Sequence, residues 1–442
     1  MNNYYLGIDV SKGYADFILI DEQKRPIIES FQLDDTYSGH QRLYDIINDF
    51  FKDHPDATLY AGVESTGGYE DNWFSFLHKL QQQFNVFVTR LNPFGVSHDT
   101  KAEMTRVITD KNSARAIATY LIRHNERISY TQEDFYAPAR KLWNLVNTFT
   151  KQRAELLNQL ESLLYSTFPE ILTYCKEGFS DWVLKLLQRY PTAQRIENAE
   201  LSSIASIPYV SRKKALKLQA LAQRSVGNHN EATADIIQTI AQEIIHLSSM
   251  IDQKEKKLQE TVSDTDIKLL ESFKGIGTYS AVGLLLHIGT IERFPSVKKL
   301  ASFFGLHPTF KQSGDGTWAM RMSKQGNPEV RRILFNVARS AVVHNPVIRK
   351  TYENHIAKGM KHYQAMGACM HKILRIVYGM LKNKTYFNPS IDLGNRKKKQ
   401  KRQEKQLPNT DRLRRFQHID NHAPISRWQY KKRKERDASQ NE

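Results

Sequence analysis

The chain has 442 residues, enough for two or three domains with cores of their own. Its 64 Lys and Arg outnumber 47 Asp and Glu, giving a net charge of +17 and a pI near 9.5, a self-repulsion that a phosphate-rich partner would relieve. Two distant cysteines, Cys175 and Cys369, exclude a disulfide framework and a cysteine zinc site; no apolar run approaches the ~20 residues of a membrane span, and the N-terminus opens on a strand rather than a signal peptide, so a soluble, cytoplasmic protein is expected.

The first elements are short, apolar and β-rich. Residues 4–10, 15–20 and 26–33 predict three strands, with Ser11-Lys12-Gly13 as the tight turn between the first two. The first strand presents Asp9 at a sheet surface, where it either holds a metal or caps the turn. Leu43, Ile46, Ile47 and Phe50 at helical spacing predict a helix over 37–51, and a fourth strand over 58–63 runs straight into Glu64. A helix over 69–84, a fifth strand over 86–91 and a polar helix over 101–124 complete the unit. The order βββαβαβα is that of an α/β RNase H-like (RuvC-like) fold. In that fold metal-binding carboxylates come from the first strand, the fourth strand and a late helix, which here hold Asp9, Glu64 and Asp110. Hard oxygen ligands suit Mg²⁺, which keeps several waters and takes its other ligands from substrate phosphate; two such ions activate a nucleophile and stabilise a leaving oxygen.

Three motifs carry a family resemblance: Gly7-Ile8-Asp9-Val10-Ser11, then Glu64-Ser65-Thr66-Gly67-Gly68-Tyr69, then Thr109-Asp110-Lys111-Asn112-Ser113-Ala114. Together the N-terminal part resembles the DEDD transposases of bacterial insertion sequences, relatives of the Piv-type DNA invertases. The family's helix carries a second acid three residues after the first. This chain has Ser113 there, a weaker metal ligand, so water or another residue such as Asn112 completes the shell, or cleavage is impaired.

Beyond residue 130 the pattern becomes helical. Leu142, Leu145, Val146, Phe149, Leu156, Leu157, Leu160, Leu163 and Leu164 predict one long amphipathic helix, and Ile236, Ile237, Ile240, Ile244, Leu247, Ile251 and Leu258 a second over 232–261. The pair makes either a coiled-coil arm or dimer contact, or an intramolecular helical hairpin. In the lobe between them, Ile204-Ala205-Ser206-Ile207-Pro208-Tyr209-Val210-Ser211 precedes a basic stretch with Arg212, Lys213, Lys214 and Lys217, and echoes Leu270-Glu271-Ser272-Phe273-Lys274-Gly275-Ile276-Gly277. The later copy reads as an ordinary interhelical turn or as a helix-hairpin-helix. In the second reading Gly275 and Gly277 bring backbone N–H groups to a phosphate with no side chain in the way, and Lys274 beside them binds the same nucleic acid.

The region that follows resembles the C-terminal domain of the same transposases. The steps are a Phe-rich segment with Phe303-Phe304-Gly305-Leu306-His307-Pro308, then Gln312-Ser313-Gly314, then Ser323-Lys324-Gln325-Gly326-Asn327-Pro328 and a basic helix with Arg331 and Arg332. The resemblance implies that Ser313 is the nucleophile of a covalent serine–DNA intermediate, that the two domains meet across protomers of a homo-oligomer (dimer or tetramer), and that an element-encoded bridge RNA pairs with donor and target DNA. Read from the residues alone, Ser313 is a loop serine beside a turn glycine rather than a nucleophile, and Ser323 is the fallback nucleophile. Lys324, Arg331 and Arg332 are expected to face phosphates, and Cys369 to lie in a core.

Residues 391–442 hold 16 Lys or Arg against 7 Asp or Glu, with Phe416, Trp428 and Tyr430 interleaved, which predicts a disordered tail that binds RNA or tethers DNA nonspecifically. The expected organisation is a RuvC-like domain over 1–128, a helical arm with an intervening lobe over 129–265, a helical transposase domain over 266–387 and the tail over 388–442. Two rival readings stand beside a strand-exchanging recombinase: a metal-only junction endonuclease using Asp9, Glu64 and Asp110, and a non-catalytic nucleic-acid-binding remnant, motivated by Ser113.

Overall fold

A computed structural model describes residues 2–65, 67–102, 110–125, 128, 135–228, 230–313, 316–392, 430 and 434, and at 110–112 and 310–321 the backbone alone. The chain divides into two compact units, Met1–Phe135 and Tyr136–Glu442.

The first unit is built on β1 (Asn3–Ser11). Strand β2 (Tyr14–Asp21) pairs with it antiparallel and β3 (Pro26–Asp34) lies outside β2; β4 (Thr58–Glu64) pairs with β1 in parallel and β5 (Val86–Leu91) lies outside β4. The sheet order is therefore β3-β2-β1-β4-β5. Four helices connect and cover it: α1 (Tyr37–Asp53), α2 (Asp71–Leu80), α3 (Pro93–Ala102) and α4 (Asp110–His124). The expected order of strands and main helices is found, with one addition. Of the polar helix expected over 101–124, residues 101 and 102 end a separate helix, α3, which opens on Pro93 in a stretch the sequence left unassigned, and α4 is described from Asp110.

Burial explains why β1 reads as a continuous apolar run rather than an alternating one: helices cover both sheet faces. Tyr4, Leu6, Ile8 and Val10 share a core with Leu43, Ile47 and Phe50 of α1 and with Trp73, Phe74 and Leu77 of α2. Tyr5, Ile18 and Ile20 face the other way, onto Ala114, Ile117, Ala118 and Leu121 of α4. Gly7 sits on this second face. A Cβ at Gly7 would lie 2.0 Å from the Ala114 carbonyl oxygen and 2.8 Å from the Ala118 nitrogen. Helix α4 thus rests backbone to backbone on the central strand, which only glycine permits. The Arg115 guanidinium fixes the helix further by donating to the Lys24 carbonyl at 2.9 Å.

The loop after β4 turns through Gly67 and Gly68, at φ +88° and +118°. Its clamp is Glu70, only 4% exposed. One carboxylate oxygen accepts from the Ser65 hydroxyl at 3.0 Å and the other from the Gly68 N–H at 2.8 Å. Arg90 of β5 lies 3.8 Å over the Phe74 ring and donates to Asp71 at 3.0 Å, closing the same corner.

In the second unit, α5 (Ala137–Thr167) leads into a lobe made of a 3-10 turn (Pro169–Tyr174), α6 (Asp181–Arg189), α7 (Ala193–Glu197), α8 (Leu201–Ala205) and α9 (Arg212–Gln223); α10 (Glu231–Glu260) then returns along α5. Of the alternatives the sequence leaves open, the long helices pair within one chain. Their far ends share the lobe's core, where Leu160 and Leu164 meet Ile237, Ile240 and Ile244. Their near ends, through Trp143, Val146, Ile251 and Leu258, belong to a second core. That core is completed by α11 (Asp264–Glu271), α12 (Thr278–Ile288), α13 (Val297–Phe303), α14 (Pro328–His344), α15 (Pro346–Ala357) and α16 (His362–Asn383). Between α13 and α14, β6 (Pro308–Ser313) and β7 (Gly316–Met322) form an antiparallel hairpin where the sequence suggested a glycine-rich loop. Arm and C-terminal segment fall in one compact unit. Cys175 and Cys369 are free thiols, Cys369 buried in the core. Among the described residues no helix is long and apolar enough to cross a membrane, and nearly all of the basic tail lies outside the described residues.

Two substitutions test this account. Gly7→Ala forces α4 off the sheet and is expected to destabilise the first unit by roughly 1–3 kcal/mol, measured by urea unfolding. Glu70→Gln weakens the charge-assisted bonds to Ser65 and Gly68, at about 1–3 kcal/mol, and hydrogen exchange at the Gly68 amide should accelerate.

Candidate active site

Strand geometry brings the first two expected acids together. Side chains alternate across a sheet, so Asp9 shares Gly7's face of β1, and Glu64 shares the face of Gly62, where an added Cβ would lie 3.0 Å from Leu121 of α4. Gly7 is registered against Gly62 and Ile8 against Val63, which sets Asp9 beside Glu64 under α4. Both are half-buried. Burial, and then the neighbouring Asp9 charge, raise the Glu64 pKa above its ordinary value. This is the donor chemistry of a hard divalent cation: two oxygen ligands whose ionised forms oppose each other until a positive charge lies between them.

The other two expected positions lie on α4. Its buried stripe is Ala114, Ile117, Ala118 and Leu121. By the helical repeat, Asp110 and Ser113 occupy the next places of that stripe toward the N-terminus. Asp110 is the first residue of the helix, its carboxylate outside the described side chains; Ser113 is partly buried. Among the described residues no three carboxylates, histidines or cysteines are gathered closely enough to hold a metal. One acid escaped the sequence reading. Asp16 of β2 pairs directly with Asp9, on the same face, is 8% exposed and accepts from the Gln32 amide at 3.2 Å. The alternation in β2 could have shown it.

The remaining expected residues belong to the second unit. Ser313 is the last residue of β6, paired with Gly316 across a turn whose residues Gly314 and Asp315 lie outside the described set. The hairpin is clamped at its base. The Ser323 N–H donates to the His307 carbonyl at 2.9 Å and the Lys324 N–H to the Gly305 carbonyl at 3.1 Å. A Cβ on Gly305 would lie 2.6 Å from the Gln325 carbonyl oxygen, and one on Gly326 2.4 Å from the Phe303 carbonyl oxygen. Ser323, the fallback nucleophile, therefore sits in the base, its hydroxyl accepting from the Gln325 N–H at 3.4 Å.

The expected phosphate-facing cations divide. Lys324 and Lys274 are exposed. Arg331 instead donates to the carbonyls of Phe304 and Gly326, at 3.1 and 2.8 Å, locking the hairpin base to α14. Arg332 is exposed like the two lysines but also bonds Glu329 at 2.8 Å and Asn147 at 2.6 Å. Burial, the largest single influence, works to raise the Glu329 pKa, but Arg332, Trp143 and His287 together hold the carboxyl below its ordinary value; Asn147 also donates to it. No local signal could have disclosed this network, whose α5 members are far from α14 in sequence. Asn327 caps α14, accepting from the Glu329 N–H at 2.9 Å, and its amide meets His287 at 3.0 Å.

The Gly275 turn joins α11 to α12 with Gly275 at φ +116°. A Cβ there would meet Ala341 of α14 at 2.8 Å, so this glycine serves close packing as well as backbone shape, while Gly277, the N-cap of α12, is exposed with open space at its Cβ position.

Comparison with known proteins adds to this geometry. A DEDD-type transposase family model of the IS110 kind matches residues 6–169, and the model described as "Transposase IS116/IS110/IS902 family" matches residues 267–353. The chain is 21% identical over 301 residues to the insertion element IS116 uncharacterized 44.8 kDa protein of Streptomyces clavuligerus, covering 66% of this chain and 73% of that one. It is 20% identical over 236 residues to the transposase for insertion sequence element IS1111A of Coxiella burnetii, covering 53% and 55%. It is 30% identical over 157 residues to the pilin gene-inverting protein of Moraxella bovis, covering 34% and 48%. Across the curated relatives matched, the alignments span 31% to 73% of the relatives' length. The first match takes in the strands that carry Asp9 and Glu64, the second takes in the hairpin that ends β6 on Ser313, and with both in place the chain belongs to the DEDD transposases of the IS116/IS110/IS902 family.

Proposed function

We propose that this protein is a DNA transposase that excises and inserts its insertion element by metal-dependent strand cleavage and exchange through a covalent serine intermediate. The observation that carries the reading is the Asp9–Glu64 pair, side by side at the strand ends beneath α4, with burial and mutual repulsion raising the Glu64 pKa. The sheet order β3-β2-β1-β4-β5 supports an RNase H-like assignment for this unit. A relative named as a transposase and another named for inverting a pilin gene support DNA as the substrate. Asp9, Glu64 and Asp110, with Ser113 or a water beside them, would hold Mg²⁺, which when bound supplies charge stabilisation at the scissile phosphate.

The residues of the chain supply the rest. Ser313 Oγ attacks phosphorus, the ester bond to the leaving sugar oxygen breaks, and the proton lost from Oγ passes to that oxygen. The phosphodiester energy is kept in the phosphoserine link for the rejoining step. A bridge RNA and a homo-oligomer that completes the site across protomers belong to the same reading, with the exposed Lys274 and Lys324 and the Gly277 turn against backbone phosphates.

The deciding assay mixes protein, Mg²⁺, the element's flanking RNA and donor plus target DNA. A covalent protein–DNA adduct is expected, and Ser313→Ala should abolish it; cleavage that persists in the variant without an adduct would instead establish the metal-only nuclease. A second measurement addresses the acid pair. Because the Glu64 pKa is raised by folding, the pair is a net cost to stability once pH exceeds the unfolded value, and protonation removes that cost. With a chelator present, Asp9→Asn should therefore raise Tm at pH 7, with the gain shrinking in acid. Mg²⁺ should raise the wild-type Tm and leave the variant's unchanged; equal responses would remove Asp9 from the metal site.

A further inference from the structure

The lobe between the long helices repeats the backbone frame of the Gly275 turn. The amides of Ser206, Ile207, Val210 and Ala215 bond the carbonyls of Ser202, Ile204, Ile207 and Ser211 at 2.9, 3.2, 3.0 and 2.8 Å. The amides of Ser272, Phe273, Ile276 and Ala281 bond those of Lys268, Leu270, Phe273 and Gly277 at 3.2, 3.0, 3.0 and 2.9 Å. Every donor and acceptor corresponds at one constant offset in numbering. The unusual residue corresponds too: Tyr209, at φ +65°, stands where Gly275 is at φ +116°. The faint sequence echo is thus a repeated interhelical turn, a helical hairpin of one backbone frame in both places.

The two copies differ in what surrounds them. The Gly275 crown is pressed against α14 of its own core, whereas Tyr209 is 86% exposed. Between residues 201 and 230 the chain has Arg212, Lys213, Lys214, Lys217 and Arg224 and no Asp or Glu. Arg212, Lys213 and Lys217 are exposed on α9 and make no ion pair with any described residue. Lys214 is turned inward, 3.4 Å over the Trp182 ring and 3.4 Å from the Tyr209 carbonyl, so it braces the crown against α6. The result is a rigid hairpin that presents cations outward with no acid in its own segment to balance them.

We propose that this second hairpin is a docking surface for duplex DNA that grips the sugar–phosphate backbone without reading bases. Duplex is favoured over single strands and RNA loops because those need successive aromatic faces for unstacked bases. Tyr209 is the only Phe, Trp or Tyr between 201 and 230. Phosphates need only outward cations and backbone N–H groups. The inference rests on the reading that the protein handles DNA, and is independent of both the metal and Ser313.

The test uses the full chain in chelator, with a mixed-sequence duplex and a structured RNA as separate ligands, followed by anisotropy across a salt series. Each contacted phosphate contributes about 0.9 to the slope of log K against log salt. Arg212→Gln/Lys213→Gln/Lys217→Gln should make the duplex slope shallower by about 2 to 3 and weaken binding roughly tenfold or more, with an unchanged Tm. Should the triple variant fold poorly, Lys213→Gln should still move the slope by about 1. A photoreactive benzoylphenylalanine at Tyr209 should crosslink to the duplex. Wild-type protein that binds no duplex would overturn the DNA reading itself. A wild-type slope retained by the variants, or a loss confined to the RNA ligand, would overturn this inference and leave that reading in place.

Discussion

The contact between Gly7 and helix α4 is the constraint on which the first unit turns. Sheet and helix usually meet through side chains, with several ångströms of adjustable material between the backbones. Here the Ala114 carbonyl and Ala118 nitrogen lie where a Cβ would stand, so the helix has almost no freedom to rise or slide. Since Asp9 follows Gly7 by two residues on the same face, and Asp110 precedes Ala114 by one turn, one rigid contact sets where both sets of acids belong. Rotamer changes cannot compensate for a shift at that point, because no side chain intervenes.

Two half-buried acids, Glu329 and Glu64, are treated oppositely. Glu329 is held below its ordinary pKa by Arg332, with Trp143 and Asn147 as further donors, and its carboxylate serves as a joint between α5 and α14. Glu64 is pushed the other way by burial and by Asp9. Glu329 is surrounded by donors that favour its charge, whereas Glu64 sits in a setting that disfavours it.

Much of the fold was legible because its signals are local. Strands β1, β2, β4 and β5 are apolar runs bounded by turn residues, and α5 and α10 carry leucine and isoleucine stripes. Asp9 and Glu64 were readable because each ends or nearly ends such a run. What stayed hidden depends on partners far apart in sequence. Arg331 looks like a solvent-facing cation on a helix, yet it is half-buried on the Phe304 and Gly326 carbonyls; Arg332 does remain exposed, but its bond to Asn147 of α5 could not be read from sequence. The β6–β7 hairpin was missed because Gly314-Asp315-Gly316 suggests loop, and its pairing is set by the Gly305–Gly326 contact at its base. Tyr209 was unreadable for a different reason, since a tyrosine at positive φ contradicts the residue preference used to find such turns.

The clamp at the base of that hairpin makes it a ruler. Gly305, Gly326 and Arg331 hold the start of β6 and the end of β7, so any change in strand length is expressed at the far end. Two residues added to each strand would carry Ser313 outward by about 7 Å and return it to the same face. One residue added to each would turn it to the opposite face. Hairpin lengths that differ by an odd count are therefore incompatible with a common position for this serine, while even differences adjust reach in steps.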